Sequence, residues 1–190
     1  MVFDLIKKAR SYRSFDESVV VDENLLKSFV NGARYSSSAI NLQPLRYKLV
    51  YEKNEVEAVL SNTKWGGMLP ALKLPPDGHH PTSFIIVCKD KTVINISNSD
   101  IDLGIAAESI MLQAVEKGYG GCFIAAFSKN EISQMFSFDE TIEPVLIIAL
   151  GKPDETVVIK EIGKNESTKY YRTDDNLHVV PKIQLSDILL

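Results

Sequence analysis

Three short apolar runs, Ser83-Phe-Ile-Ile-Val-Cys88, Cys122-Phe-Ile-Ala-Ala-Phe127 and Val145-Leu-Ile-Ile-Ala-Leu150, constrain this chain more than any other feature. Each is too short for a helix of its own, and the β-branched residues in them favour a pleated surface, so all three read as buried strands. Between the first two lies a strong helical period. Leu103, Ala106, Ala107, Ile110, Met111, Ala114 and Val115 recur at i, i+3, i+4, i+7, i+8, i+11 and i+12, and Gly118 stands where a left-handed C-terminal cap belongs. The small residues on that face would let another backbone come close. Between the second and third runs, Ser128 with Glu131 makes a capping box for a helix through Phe136.

Upstream, residues 2–10 form a short amphipathic pattern with Phe3, Ile6 and Ala9 on one face. Asp22 then caps a second helix carrying Leu25, Leu26, Phe29, Val30 and Ala33 at helical spacing. Arg46–Tyr51 resembles a strand, and Val56–Leu60 a further short helix. Pro70, Pro75, Pro76, Asp77, Gly78 and Pro81 break the next stretch into an irregular connection, where variation and mobility are expected.

Helices and strands without a regular strand–helix–strand repeat predict an α+β domain with a small central sheet sandwiched by helices. A doubly wound nucleotide fold is rejected, because Gly118-Tyr-Gly-Gly121 follows a helix and precedes a strand, the reverse of the order a dinucleotide fingerprint needs. The length of 190 residues suits a single domain, 1–190. After Gly151-Lys-Pro153 the chain turns polar and mixed as far as Val179-Val-Pro-Lys182, before a final Ile188-Leu-Leu. This tail, 154–190, is expected to find few partners within its own domain. Two endings fit it equally: an arm that reaches across to a second subunit, or a plain surface-packed terminus.

Hydrophobic residues at 45% and charged residues at 24% allow a sizeable core and exclude wholesale disorder. Net charge is −4, and the basic clusters Lys7-Lys8 and Lys89 to Lys91 are too short to track a phosphate backbone, which argues against a nucleic-acid partner. No apolar run approaches the roughly 20 residues of a membrane span, and the N-terminus lacks the order of a signal peptide. A soluble, cytoplasmic protein without a membrane partner is expected. Cys88 and Cys122 sit inside apolar runs and read as reduced core thiols. His79, His80 and His178 have no further ligand at metal-binding spacing, so no metal site is expected.

Two polar segments suit a ligand. Arg10-Ser-Tyr-Arg13, just past the first helix, places two guanidinium forks three positions apart with hydroxyls between them, a pattern that matches phosphate oxygens. Solvated arginines offsetting a helix dipole would look the same. Ser36-Ser-Ser-Ala-Ile-Asn-Leu-Gln-Pro44 supplies short hydroxyls and amides that could satisfy a polyol or the edge of a flavin ring, or could simply make local turns.

Together these blocks resemble the FMN-dependent nitroreductase family. Arg-Ser-x-Arg-x-Phe opens the resemblance, Ser-Ser-x-x-Asn-x-Gln-Pro follows one helix later, and the Asp102-Leu-Gly-Ile-Ala-Ala helix runs into Gly118-Tyr-Gly-Gly-Cys-Phe-Ile, so that it spans about residues 5–153 in order. It implies a three-layer α+β sandwich, with a mainly antiparallel sheet flanked by helices, that is dimeric and holds FMN between its subunits. Arg10, Ser11 and Arg13, with the backbone of Tyr12, match the family's phosphate and ribityl contacts. Ser37, Ser38 and Asn41, with Gln43 beside them, match a segment offered by the partner subunit. Phe123, Ile124, Ala125 and Ala126 match the strand end beside the isoalloxazine ring, where a backbone N–H faces N5. Several family members carry an acidic residue and a glycine where this chain has Ala125 and Ala126. Lys182 is the best match to a C-terminal basic residue that reaches the phosphate, with Arg172 second.

The implied activity is an NADH- or NADPH-dependent oxidoreductase that passes electrons through FMN to a small acceptor, a nitroaromatic or quinone, in ping-pong fashion and without a catalytic side chain. The alternatives carried beside it are a flavoenzyme of the same fold with other redox chemistry (dehalogenation, enoate reduction or dehydrogenation) and a flavin-binding protein without turnover.

Overall fold

Alternation along the central strands sorts their side chains into two separate cores, and a computed structural model, which describes residues 1–93, 99–175 and 177–190, shows how. Strand β3 (Ser83–Asp90) sends Ile85 and Val87 to one face and Phe84, Ile86 and Cys88 to the other. β5 (Ile142–Pro153) does the same with Ile148 and Leu150 against Ile147 and Ala149. This period of two in side chains buried on both faces is what a central strand requires. The first face is covered by α2 (Glu23–Ala33) and α4 (Ser99–Glu116) through Leu26, Phe29, Ala33, Ala106, Ala107, Ile110, Met111 and Ala114. The second is covered by α3 (Lys53–Ser61) and α5 (Lys129–Met135) through Val56, Val59 and Ile132. The result is the three-layer α+β arrangement expected.

β3 lies between β5 and β2 (Leu45–Val50), and β5 also pairs with β1 (Phe15–Asp16) and β4 (Gly120–Ile124), every pairing being antiparallel. Asp22 caps α2 as read from the sequence, its carboxylate accepting the Leu25 N–H at 2.8 Å. Gly118 has φ +81°, the left-handed geometry that ends α4.

The second apolar run is shifted. β4 starts at Gly120 and stops at Ile124, so Ala125, Ala126 and Phe127 have already left the sheet. The strand begins early because its glycines allow close approach: a Cβ on Gly121 would stand 2.0 Å from the Ala149 carbonyl oxygen, and one on Gly120 2.6 Å from Cδ2 of Tyr12. The Gly118–Gly121 motif thus serves packing. Ser128 is the N-cap of α5, but its hydroxyl makes no capping bond; the backbone N–H of Ser128 is instead held by Asn62 O at 3.3 Å.

The larger departure is the tail, whose polar appearance concealed a second sheet. β6 (Val157–Ile162) runs parallel to β8 (His178–Ile183), and β7 (Tyr171–Arg172) pairs antiparallel with β8. Ile162, His178 and Val179 are almost fully covered, and because His178 and Val179 are neighbours on β8 they face opposite sides, so burial follows no single apolar face and leaves a mixed pattern in sequence. α1 (Val2–Lys8) departs the other way: it buries no residue, and Phe3 and Ile6 of its apolar face stay exposed within the chain.

Candidate functional site

Residues 10–13 run alongside β4, Ser11 bridging Gly121 and the Tyr12 N–H donating to Gly121 O at 2.9 Å. Tyr12 packs on Gly120, while Arg10, Ser11 and Arg13 line one cleft together with Tyr170, His178, Val180 and Lys182. Four of the predicted residues, Arg10, Ser11, Arg13 and Lys182, therefore meet in one cleft of about 180 Å³.

Arg13 is not the solvated helix-end group that the segment alone allowed, whereas Arg10, half-buried, keeps part of that role through a bond to the last turn of α1. Arg13 is only 8% exposed, and the Nε atoms of Arg10 and Arg13 are both buried with no hydrogen-bond partner among the described residues. Arg10 donates through one terminal nitrogen to Ile6 O at 2.7 Å, and Arg13 to Ser11 O at 3.3 Å. A buried guanidinium with unused donors is costly unless an anion completes it.

The second sheet closes this cleft with residues that sequence reasoning missed. Glu155, in the link from β5 to β6, is almost fully buried; it accepts the Arg13 backbone N–H, pairs with the Arg172 guanidinium and lies 3.7 Å from Nδ1 of His178. Burial pushes its carboxyl up, but the His178, Arg13 and Arg172 contacts outweigh that and hold it below the usual carboxylate range. The Tyr170 ring contacts both Arg13, whose guanidinium carbon is 4.7 Å from its centroid, and His178, stacked at 5.4 Å between rings. The Tyr170 hydroxyl accepts the Met68 N–H at 3.3 Å. Arg172, weighed as a phosphate contact, is committed to Glu155. The only sequence hint of this network was an acid, an aromatic and a histidine inside an otherwise featureless tail.

The Ser36–Gln43 loop sits elsewhere, and its cleft shares no lining residue with the arginine cleft. Ser37, Ser38 and Gln43 line it, with Asp102 of α4 at its base, and Asn41 is not among the lining residues. Asp102, 4% exposed, accepts Ser38 Oγ at 2.6 Å and the Ala39 N–H at 3.0 Å, and Ser38 Oγ in turn accepts the Gln43 N–H at 2.9 Å. The Ser38 hydroxyl is thus engaged inside the loop, whereas the Ser37 and Asn41 side chains are exposed. Ile40, Asn41 and Gln43 have φ of 45°, 59° and 51°. A β-branched residue in left-handed geometry is strained, and Ile40 is also 90% exposed.

Phe123 and Ile124 close β4, the first partly exposed and the second buried in the core, so Ile124 can offer only backbone to a ligand. Ala125 and Ala126 are exposed, and neither N–H has a backbone partner among the described residues, while Ala126 O accepts the Lys64 N–H at 2.8 Å. Outside these regions, Cys88 and Cys122 are free and buried as expected, and burial pushes the Cys88 thiol up to about 12. No helix among the described residues is long and apolar enough to cross a membrane.

An antiparallel α+β sandwich with a guanidinium-lined cleft beside β4 is the arrangement to be placed among known proteins, and comparison with them gives its family. The Nitroreductase family model matches residues 6–152, and the chain belongs to that family. It is 23% identical to an NAD(P)H nitroreductase of Bacillus subtilis (strain 168), YodC, covering 78% of this chain and 88% of that one. Among solved structures, it resembles a nitroreductase family protein of Clostridium difficile 630 with TM-score 0.65 at 25% identity, covering 82% of this chain and 85% of that one. It also shares its fold with a Clostridium novyi NT nitroreductase family protein, with TM-score 0.66 at 20% identity, covering 95% and 94%. A third structure of the same fold is a nitroreductase-type protein of Exiguobacterium sibiricum 255-15 in complex with FMN, with TM-score 0.67 at 17% identity, covering 82% and 89%.

Proposed function

We propose that this chain is an FMN-dependent oxidoreductase that works as a homodimer in the cytoplasm. In this reading it passes electrons from NADH or NADPH to a small organic acceptor, a nitroaromatic or a quinone, by a ping-pong route. The observation that carries the reading is the arginine cleft, where two guanidinium groups with buried, unpartnered Nε atoms converge with Ser11 and Lys182. Such a donor set fits a phosphate monoester, which accepts several charge-assisted hydrogen bonds at once. The FMN held by the fold relative from Exiguobacterium sibiricum carries such a group.

FMN, when bound, supplies the hydride and electron chemistry. The chain's own tasks are binding and orientation. Arg10, Arg13 and Lys182 hold the phosphate, and Ser11 adds a neutral hydrogen bond. Tyr12 has its N–H taken up by Gly121 and acts by fixing the segment's path. The exposed Ala125 and Ala126 amides are the free donors nearest the end of β4, and a backbone N–H there stabilises developing negative charge with no ionisable group. Because the Ser37–Gln43 cleft is separate from the arginine cleft, the two meet on one ligand when a second copy of the chain supplies the second of them. The exposed apolar face of α1 and Ile40 are consistent with such a contact, and the two free buried thiols with a reducing compartment.

The test is direct. The purified protein is expected to be yellow, to release FMN on denaturation, and to be bleached anaerobically by NADH or NADPH and re-oxidised by a nitroaromatic or quinone. A colourless protein that takes up no added FMN would sink the flavin reading. A yellow one that neither nicotinamide reduces would sink the electron route alone.

A further inference from the structure

Glu155 is a buried carboxylate a few ångströms from a cleft whose task is to attract an anion. Coulomb's law alone makes that placement unfavourable, since a negative charge beside a phosphate site weakens it. Its contacts offer a reason for keeping it. One oxygen accepts the Arg13 backbone N–H, the other pairs with Arg172 of β7, and the His178 ring of β8 lies beside it. Tyr170, just before β7, stacks on His178 of β8 and carries the Arg13 guanidinium 4.7 Å from its ring centroid. Neighbouring backbone bonds lock the joint from both sides: the Asp154 N–H donates to Ser14 O at 3.0 Å, and the His178 N–H to Thr156 O at 2.9 Å.

We infer that Glu155 is a positioning residue for the anion cleft, holding the Arg13 backbone to the C-terminal sheet so that its guanidinium, seated on Tyr170, faces the ligand. The inference rests on the flavin reading above and deepens it: affinity for the phosphate arm depends on a carboxylate that does not touch the ligand. Arg13 alone has too many rotamers to hold its fork in one direction, and its order comes from the tail. The 154–190 segment is therefore part of the binding machinery of its own chain.

Positioning and charge predict opposite signs, which makes the test sharp. The measurements are the affinities of the apoprotein for FMN and for riboflavin, which has the same ring and no phosphate, in wild type, Glu155→Gln, Arg13→Ala and the double variant. Glu155→Gln keeps an acceptor for the Arg13 N–H but gives up the ion pair that fixes it to Arg172 of β7, and is expected to weaken FMN about tenfold and leave riboflavin within about twofold. In the Arg13→Ala background it should cost nothing further, since a residue that acts through another shows no effect once that other is gone. Tyr170→Leu, which removes the stack while leaving the carboxylate, should also weaken FMN selectively, and it serves if the Glu155 variant fails to fold. Tighter FMN binding in Glu155→Gln would show a plain electrostatic brake and overturn the inference. So would an equal loss for riboflavin, or a full loss persisting beside Arg13→Ala. A wild-type chain that binds neither flavin overturns the flavin reading and this inference together, whereas tight wild-type FMN binding with unchanged variants overturns this inference alone.

Discussion

The two polar segments handle their hydrogen bonds in opposite ways. Around Asp102, Ser38 Oγ and the Ala39 and Gln43 amides are satisfied within the chain, and the cost appears in the backbone, as three left-handed residues in a row of four. Around Arg10 and Arg13 the backbone is ordinary, Tyr12 being held by Gly121, and the cost appears as buried guanidinium nitrogens without partners. A loop that is internally complete but bent presents a fixed shape. A cleft that is relaxed but unsatisfied presents unmet binding capacity. The first suits a wall and the second an anchor, and that division of labour is what a ligand shared between two chains would need.

The largest expected effect tests the wall. Asp102→Ala leaves Ser38 Oγ and the Ala39 N–H without their buried acceptor, and should cost about 2–4 kcal/mol in urea unfolding; a loss under about 0.5 kcal/mol would mean that the loop holds its shape without the carboxylate. Next comes the anchor: Arg13→Ala should weaken FMN about 10- to 100-fold in a fluorescence titration, through loss of a charge-assisted phosphate contact. Its urea midpoint should move little, since the backbone N–H that binds Glu155 survives; a large fall in stability with unchanged flavin affinity would reverse the roles of the two regions.

Acid should separate the regions further. The Glu155 carboxyl is held below its ordinary range in the folded chain, so its stabilisation is complete above the unfolded value of about 4.3 and is lost as pH falls through the folded one. The opening free energy of β6 to β8, from hydrogen exchange corrected for the intrinsic rate at each pH, is expected to stay constant from about pH 7 to 5 and to fall at lower pH, ahead of that of β3 and β5. Simultaneous opening of both sheets would contradict a separate tail joint. The smallest effect is expected at Ile40, where Ile40→Asn relieves left-handed strain and should stabilise the isolated chain by about 1 kcal/mol; a destabilisation would show that the bend is not strained.

How much of this could be read in advance depends on periodicity. β3, β5, α2 and α4 were legible because buried faces on both sides of a strand, or along one side of a helix, leave regular apolar spacing. The family and the arginine segment were legible because ordered motifs survive when overall identity is low. The tail sheet was not: β6 is exposed through its middle, β8 buries His178 and Val179 on opposite faces, and the contacts that order the joint are polar, Glu155 and Tyr170 meeting Arg13 across more than 140 positions of chain, a separation of 142 for the Glu155 contact. Long-range polar contacts leave no period. Nor could the sequence show that Ser38 turns inward, since that depends on Asp102 arriving from α4. Ala125 and Ala126 read as strand although the sheet ends at Ile124, because exposure past a strand end has no residue signature when the residues are alanines.

The central claim is that residues 10–13 and Lys182 form a phosphate anchor, and the wild-type ratio of FMN to riboflavin affinity measures it most directly. Two or more charge-assisted bonds should make FMN bind at least about 100-fold more tightly than riboflavin, by a margin that shrinks as salt is raised. Equal affinity for the two flavins, at any salt concentration, would contradict it.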